Sequence, residues 1–279
     1  MSRKLKSYAE WRLGENMAEY NFYYKNYKRL ILSMFKWSNL PDGISERFIE
    51  ETLFDTGLCV IFKCSKGFYV ATKATPIGLN NYEEPTGFRC YSNDHSIEEI
   101  VKAENCVAIY NDFLREGNVA NVHFFAKRIS NVEKTIGVNL EQLKHPYIIS
   151  CPESQKETVK AVLEKKTNGE PYILTSEDFG RNIDVVKVFS LDIQNHVDDL
   201  EDVKHEMINQ GLTFFGINNV NVIKKERLVT GEADQNNEQI YFNKNSMLKS
   251  RLQACKELNT KFNLNISVEI TEEREGIYE

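Results

Sequence analysis

The sequence predicts an α+β protein in which long helices alternate with short antiparallel β regions. Apolar residues recur at helical spacing in three separate stretches, 15–37, 118–141 and 195–215. Between the first two stretches lie short runs rich in β-branched and aromatic residues, separated by Gly, Pro, Asn and Asp. Such runs are typical of a small, mostly antiparallel sheet.

The first helix is predicted over 15–37. Its apolar side chains follow a heptad-like 3-4-3-4-3 spacing at Met17, Tyr20, Tyr24, Tyr27, Ile31 and Met34. We expect it to end before NLPDG, where Pro and Gly interrupt a helix. A second helix is expected from Ser45, a favourable N-cap residue, to Thr56, with Gly57 closing it.

The middle of the chain mixes both element types. LCVIF, FYVATK, GFRCYS and NCVAIYND are predicted strands. The helix predicted within 118–141, of about 22 residues, would be about 33 Å long at 1.5 Å per residue. Beyond it we predict strands for HPYIISC, EPYILTS and DVVKVFSL, and a helix for SQKETVKAVLEKKTNG.

The helix predicted over 195–215 is two-sided, and Gly216 follows its end. One side is apolar, whereas the other carries Asp198, Asp202 and Glu206 at i, i+4 spacing. Like charges at this spacing destabilise an isolated helix by a few tenths of a kcal/mol. This penalty is easier to understand if the acidic face has a function.

Residues 222–240, VIKKERLVTGEADQNNEQI, predict a long polar loop between two helices. From 224 to 239 the segment has no aromatic residue, and Leu228 and Val229 are its only large apolar residues. The following helix is expected to span NSMLKSRLQACKELNTKF, and a strand, NLNISVEI, comes after it.

Composition and charge bound the possible functions. Hydrophobic content of 41% and charged content of 27% are ordinary for a folded globular chain. The net charge is −6, yet residues 1–40 carry eight Lys and Arg against three Glu, a local charge of +5. A basic end on an acidic body indicates a polyanionic partner for that end, although a solvated tail fits equally well. There is no apolar run of about 18 residues and no signal-peptide core, so we expect a protein used inside a cell.

The motifs of several enzyme classes are missing from the sequence. It contains no G-x-x-x-x-G-K-[ST], no G-x-G-x-x-G, no H-E-x-x-H and no G-x-S-x-G. We therefore expect neither enzymatic activity nor a cofactor. The six cysteines are scattered, and buried thiols are favoured over zinc or disulfides at Cys59, Cys64, Cys90, Cys106, Cys151 and Cys255.

One enzymatic alternative remains open. The carboxylates of 198–206 could hold a divalent metal, because a hard cation prefers oxygen ligands. A metal-dependent DNA-processing enzyme is thus the alternative function. A solvated helix face is favoured, since nucleases usually gather their ligands from several elements.

The C-terminal half carries a specific resemblance. TFFGINNVNVIKKERLVTGEADQNNEQI (213–240), followed by LKSRLQACKELNTKFNLNISVEI, closely resembles the portal protein of small short-tailed bacteriophages with protein-primed DNA replication. This protein is also called the upper collar or head–tail connector. MFKWSNLPDGISERFIEETLFDTG, VAIYND and GEPYILTSED match in order, so the resemblance covers nearly the whole chain. Residues 118–195 agree in element order more than in residues.

The resemblance implies a portal fold assembled as a dodecameric ring at one capsid vertex of the virion. Double-stranded DNA would pass through its axial channel during packaging and ejection. The implied divisions are 1–117, a basic N-terminal arm and wing with the first long helix; 118–142, a stem helix; 143–194, the narrow-end clip; 195–216, a second stem helix; and 217–279, the channel loop, wing helix and C-terminal crown. The implied partners are a packaging ATPase, the major capsid protein, a scaffold protein and the lower collar or tail protein.

Three sets of residues then acquire expected roles. The channel loop would present Lys224, Lys225, Glu226, Arg227, Glu232, Asp234, Glu238 and Lys244, whose charges cancel. The channel-lining helix would present Asp198, Asp202, Lys204 and Glu206. The packaging motor would dock on Arg3, Lys4 and Lys6. A ring-forming collar protein without DNA contact is a third interpretation, against which the basic N-terminus and the loop signature count.

Overall fold

The computed structural model describes residues 8–144, 147–150, 157, 160–161, 187–190, 196–219 and 230–271. The chain forms two units, one of residues 1–133 with 203–279 and one of residues 134–202. Helices and antiparallel sheets occur together, which confirms the α+β class. Within the described ranges, no helix combines the length and apolar character needed to span a membrane.

The described elements alternate along the chain. The helices are α1 Tyr8–Leu32, α2 Glu46–Thr56, α3 Val119–Lys144, α4 Val197–Phe214 and α5 Thr230–Phe262. The strands are β1 Phe35–Ser38, β2 Leu58–Lys63, β3 Tyr69–Leu79, β4 Pro85–Tyr91, β5 Glu98–Lys102, β6 Cys106–Tyr110, β7 Tyr147–Ser150, β8 Lys187–Ser190 and β9 Ser267–Ile270.

A five-stranded antiparallel sheet, in the order β5-β4-β3-β2-β6, forms the β part of the first unit. The four predicted runs became β2, β3, β4 and β6, whereas β5 was not anticipated. Strand β2, second from one edge of the sheet, is buried along its first five residues. One core packs on the face of Cys59 and Ile61, and a second core packs on the face of Val60 and Phe62. Five cysteines are free and buried, Cys59, Cys64, Cys90, Cys106 and Cys255, as the sequence predicted; Cys151 lies outside the described residues.

The first helix differs from its prediction at both ends. It begins by Tyr8 and ends at Leu32 instead of covering 15–37. The residues after it form β1, which pairs antiparallel with β9. Burial of Phe35 and Trp37 in this pairing stabilises a strand over a continued helix. The predicted apolar seam is buried only at its C-terminal end, since Met17 is 63% exposed.

Helix α2 agrees with its prediction. It spans Glu46–Thr56, and Ser45 precedes it in an extended conformation. The Ser45 carbonyl accepts the Ile49 N–H, whereas its side chain makes no capping hydrogen bond. Gly57 follows at φ 79°, and its N–H donates to Leu53 O. A residue with a side chain rarely adopts this left-handed conformation, which explains the glycine.

Aromatic packing holds α1 and α3 against the end of α4 in the first unit. Tyr27, Phe125 and Phe215 are buried together, and the ring centroids of Tyr27 and Phe215 lie 5.7 Å apart. Tyr27 Oη donates to Ile208 O over 3.0 Å. This approach needs a small residue on α4, because a Cβ on Gly211 would lie 2.5 Å from Tyr27 Oη.

The second unit holds the described hairpin of β7 and β8, which pair antiparallel from Tyr147↔Ser190 to Ser150↔Lys187. These strands confirm the predictions for HPYIISC and DVVKVFSL. Two other predictions for this unit fall mostly or wholly outside the described residues. They are the strand EPYILTS and the helix SQKETVKAVLEKKTNG.

Candidate functional site

The acidic row of α4 consists of Asp198, Asp202 and Glu206. All three side chains are exposed, as the amphipathic pattern predicted. They follow one another at i, i+4 along a single helix face. Such a row repels polyanions and gives a helix no internal stabilisation.

Lys204, which was grouped with the acidic row, lies in a different environment. Its Nζ is 3.3 Å from Glu133 Oε2 on α3, and its side chain is only 13% exposed. Tyr23 Oη on α1 donates to the same carboxylate oxygen over 2.9 Å. These contacts give Lys204 a role in holding α1, α3 and α4 together.

Within the described part of the chain, the acidic row has no neighbours that would complete a metal site. Among the described residues, no group of three or more His, Cys, Asp or Glu side chains is placed to hold a metal ion. Next to the row, Asp199 Oδ2 lies 3.6 Å from His196 Nδ1, and both side chains are exposed to solvent. The alternative of a metal-dependent DNA-processing enzyme is not supported.

The C-terminal part of the predicted polar loop is helical. Helix α5 begins at Thr230, so residues 230–244 are helical and not part of a loop. The sequence concealed this because the first turns of α5 lack an apolar stripe; Ile240 is buried, while Glu238 and Gln239 are exposed. Of the predicted channel-loop residues, Glu232, Asp234, Glu238 and Lys244 lie on this helix. Lys224, Lys225, Glu226 and Arg227 lie outside the described residues.

Amide hydrogen bonds fix the start of α5 against the end of α4. Asn236 Nδ2 donates to Asn219 Oδ1 over 2.8 Å, and Thr213 Oγ1 donates to Asn236 Oδ1 over 2.9 Å. Asn219 Nδ2 donates to Asn209 O, and Asn243 Nδ2 donates to Thr213 O. We call Thr213, Asn219, Asn236 and Asn243 the amide clasp.

The chain reversal at the end of α4 positions Asn219 for the amide clasp. Gly216 adopts φ 71°, its N–H donates to Thr213 O, and Ile217 N–H donates to Leu212 O. This pair of bonds is a Schellman motif, which reverses the chain after a helix. The signature glycine therefore directs Asn219 back toward α4, and its prediction as the residue after the helix is confirmed.

Sequence reasoning missed a buried ion pair between α5 and α2. Arg251 Nε and a terminal guanidinium nitrogen donate to the two oxygens of Glu50 over 2.9 and 2.7 Å. Trp37 Nε1 donates to the same carboxylate over 2.8 Å, and Arg251 also donates to Asn111 O. The partners are scattered along the chain, so no local motif could have found them.

The predicted motor-docking residues Arg3, Lys4 and Lys6 lie outside the described residues. Their role, like that of the channel residues, remains a prediction.

Comparison with known proteins identifies the fold. A chain in the structure of the portal and tail of native bacteriophage P68 is 14% identical, with a TM-score of 0.57 over 99% of this chain and 93% of that chain. An HK97 family phage portal protein from Corynebacterium diphtheriae is 7% identical, with a TM-score of 0.43 over 97% of this chain and 96% of that chain. The first likeness shows a portal-like fold.

The family model described as Phage Connector (GP10) matches residues 5–275. The resemblance found in the sequence is thereby confirmed. The chain belongs to the phage connector family, and its function is that of a head–tail connector, or portal.

Proposed function

We propose that twelve copies of this chain enclose an axial channel through which double-stranded DNA passes during packaging and ejection. The family membership supports a ring at the head–tail junction of the virion. The observation that carries the channel proposal is the exposed acidic row of α4, Asp198, Asp202 and Glu206. In this proposal the row faces the bore.

An acidic bore suits a strand that must slide. Duplex DNA carries about one negative charge per 1.7 Å of its axis. Carboxylates lining the wall repel it and keep it centred, whereas a ring of unpaired cations would neutralise phosphates and add salt-dependent affinity. The channel then guides DNA by its shape and by weak contact, without readout of bases.

Because α5 begins at Thr230, only part of the proposed channel loop can lie before this helix. The cations Lys224, Lys225 and Arg227, together with Glu226, are proposed to touch DNA from the segment before α5. The N-terminal half of α5 adds Glu232, Asp234, Glu238 and Lys244. Together these residues and the four before α5 carry four positive and four negative charges, so their sum is zero. Balanced charge at the channel fringe restrains DNA without holding it tightly.

The remaining partners follow from the same function. Arg3, Lys4 and Lys6 are proposed to dock the packaging motor, a separate ATPase, since the sequence has no phosphate-binding loop. The major capsid protein, a scaffold protein and the lower collar or tail protein are the other proposed partners, with assembly in the host cytoplasm.

The channel proposal is tested by neutralising the row with Asp198→Asn, Asp202→Asn and Glu206→Gln. We expect purified rings to bind duplex DNA more tightly at low salt and to package it more slowly. The matched control, Glu98→Gln, Glu104→Gln and Glu257→Gln, removes three other exposed carboxylates. Equal DNA binding and packaging by the two triple variants would show that the row does not face DNA.

A further inference from the structure

Two neighbouring turns of the first unit present apolar side chains almost fully to solvent. Phe113 and Leu114, in the segment between β6 and α3, are 91% and 75% exposed. Tyr82, at the tip of the β3–β4 hairpin, is 86% exposed. We call Tyr82, Phe113 and Leu114 the turn patch. Exposed apolar side chains that lie together mark interaction surfaces, whereas those scattered singly over a surface do not.

An ion pair joins the two turns. A terminal nitrogen of Arg115 lies 2.6 Å from Glu84 Oε1, and the guanidinium stacks over the Tyr110 ring at 4.4 Å from its centroid. The hydrogen bond from Arg115 holds the pKa of Glu84 below its ordinary value. The tip of the hairpin and the segment before α3 are therefore neighbours, joined by an ion pair and by stacking on Tyr110.

The segment before α3 is itself rigid. Asp112 Oδ1 accepts the backbone N–H groups of Leu114 and Arg115 over 2.9 and 3.0 Å. The turn also packs directly on the end of α2, where a Cβ on Gly57 would lie 2.5 Å from the carbonyl carbon of Glu116. Phe113 and Leu114 are thus held outward by a closely packed backbone.

The hairpin tip is equally well defined. Asn80 Oδ1 accepts the N–H groups of Tyr82 and Glu84 over 2.8 and 3.0 Å, and Asn80 N–H donates to Glu84 O over 2.9 Å. A surface that is already ordered loses little conformational entropy on binding. Aromatic side chains are frequent among the few residues that supply most of the binding energy at protein interfaces. The turn patch has the properties of a docking site.

Charge identifies what can dock there. Residues 82–84 and 112–116 carry four carboxylates and one cation, a net charge of −3. Two turn patches facing each other across a two-fold axis would bring like charges together, which is unfavourable. The complementary surface must be apolar, basic and different from the turn patch.

The same chain presents such a surface. Phe124 on α3 and Phe214 on α4 are 53% and 47% exposed, and both rings contact Phe125. The Arg128 guanidinium lies 5.2 Å from the centroid of the Phe124 ring, and Lys127 beside it is exposed. We call Phe124, Phe214, Lys127 and Arg128 the basic aromatic patch.

We propose that the turn patch of one copy docks on the basic aromatic patch of the next copy. A contact between two unlike surfaces is heterologous, and repeated heterologous contacts close into rings. The inference rests on the proposed ring and assigns the surfaces that build it.

The first test removes the apolar anchors with Phe113→Ser and Leu114→Ser. We expect native mass spectrometry to show monomers at concentrations where the parent chain stays assembled, with unchanged far-UV circular dichroism. Phe68→Ser, which removes an exposed aromatic side chain from the β2–β3 turn, is the control and should assemble like the parent. Assembly of the double variant at parental concentrations would overturn the proposal.

The second test exchanges charges across the contact. Arg128→Glu or Glu116→Arg alone should raise the concentration needed for assembly at least tenfold, and the combined variant should recover much of that loss. Benzoylphenylalanine at position 113 should cross-link to residues 119–133 or 203–214 of a second copy. If the combined variant loses as much assembly as the two single variants added together, the two surfaces are not in contact. Cross-links found only in other regions or in other proteins would contradict the proposal as well. A monomeric parent chain would instead refute the ring itself.

Discussion

Arg251 is the largest fully buried side chain of the described residues, and it is charged. Its side chain and that of Glu50 are 1% and 2% exposed, so neither charge is hydrated. The guanidinium also donates to Asn111 O and Met247 O and lies 4.1 Å from the centroid of the Phe35 ring. One residue thus joins α5 to α2, to β1 and to the segment after β6.

Loss of this arginine should destabilise the fold strongly. Arg251→Met leaves the Glu50 carboxylate buried without a cation, and we expect the free energy of unfolding to fall by about 3–5 kcal/mol in urea titrations. Arg47→Met is the control, because Arg47 pairs with Glu51 over 3.4 Å at the surface and its side chain is 81% exposed. Such a pair contributes about 0–1 kcal/mol. Comparable losses in the two variants would refute the importance of the buried pair.

At the scale of elements, α5 has two differently stabilised halves. Its C-terminal half buries Met247, Ala254, Cys255 and Leu258 in the main core. Its N-terminal half buries Ile240 and is otherwise held chiefly by the amide clasp among the described contacts. Hydrophobic burial scales with area, whereas a neutral hydrogen bond contributes only about 1 kcal/mol net. The half nearest the proposed channel is therefore the one more easily opened.

Asn236→Ala should loosen this half selectively. It removes the bonds to Asn219 and Thr213, so we expect amide hydrogen exchange in the first half of α5 to accelerate about 5- to 30-fold. Exchange around Leu258 should not change. Asn237→Ala, which alters an exposed neighbour in the same helix turn, provides the matched control. Identical exchange in both variants would show that the clasp does not stabilise α5.

At the scale of the whole molecule, buried thiols couple stability to pH. Burial raises the pKa of Cys90, Cys106 and Cys255 to about 11. The unfolded chain loses its thiol protons near pH 8.5, while the folded chain keeps them. The unfolded state then binds fewer protons, so the unfolding free energy is undiminished below pH 8.5 and falls between about pH 8.5 and 11.

A single variant isolates this effect. Between pH 7.5 and pH 10, under reducing conditions, Cys255→Ala should lose about 2 kcal/mol less unfolding free energy than the parent. The packing cost of the substitution cancels, because each protein is compared with itself at two pH values. If urea titrations give both proteins the same pH dependence, ionisation of Cys255 is not linked to folding.

Much of the chain was predictable because local signals were strong. Helix α2 has a favourable N-cap position, an apolar face and Gly57, and its predicted bounds are confirmed. Short runs rich in β-branched and aromatic residues predicted four strands of the main sheet. The resemblance carried by residues 213–240 predicted the family, which the match over 5–275 confirms.

The errors have a common physical cause. Strand β5 carries two glutamates and an exposed Ile100, so its stability comes from pairing with β4, and local alternation does not reveal it. Residues 35–38 left the helical pattern because β9, more than two hundred residues away, pairs with them. The first turns of α5 look like a loop until Asn219 and Thr213 supply partners for Asn236.

By itself, the sequence determined the fold class, the family and the acidic row of α4, because each depends on residue order along one segment. Only the tertiary structure decided that Lys204 is paired with Glu133, that Arg251 is paired with Glu50, and that Arg115 is paired with Glu84. These contacts join segments distant in the chain. Their energies depend on distance and desolvation, which are properties of the folded chain and not of its order.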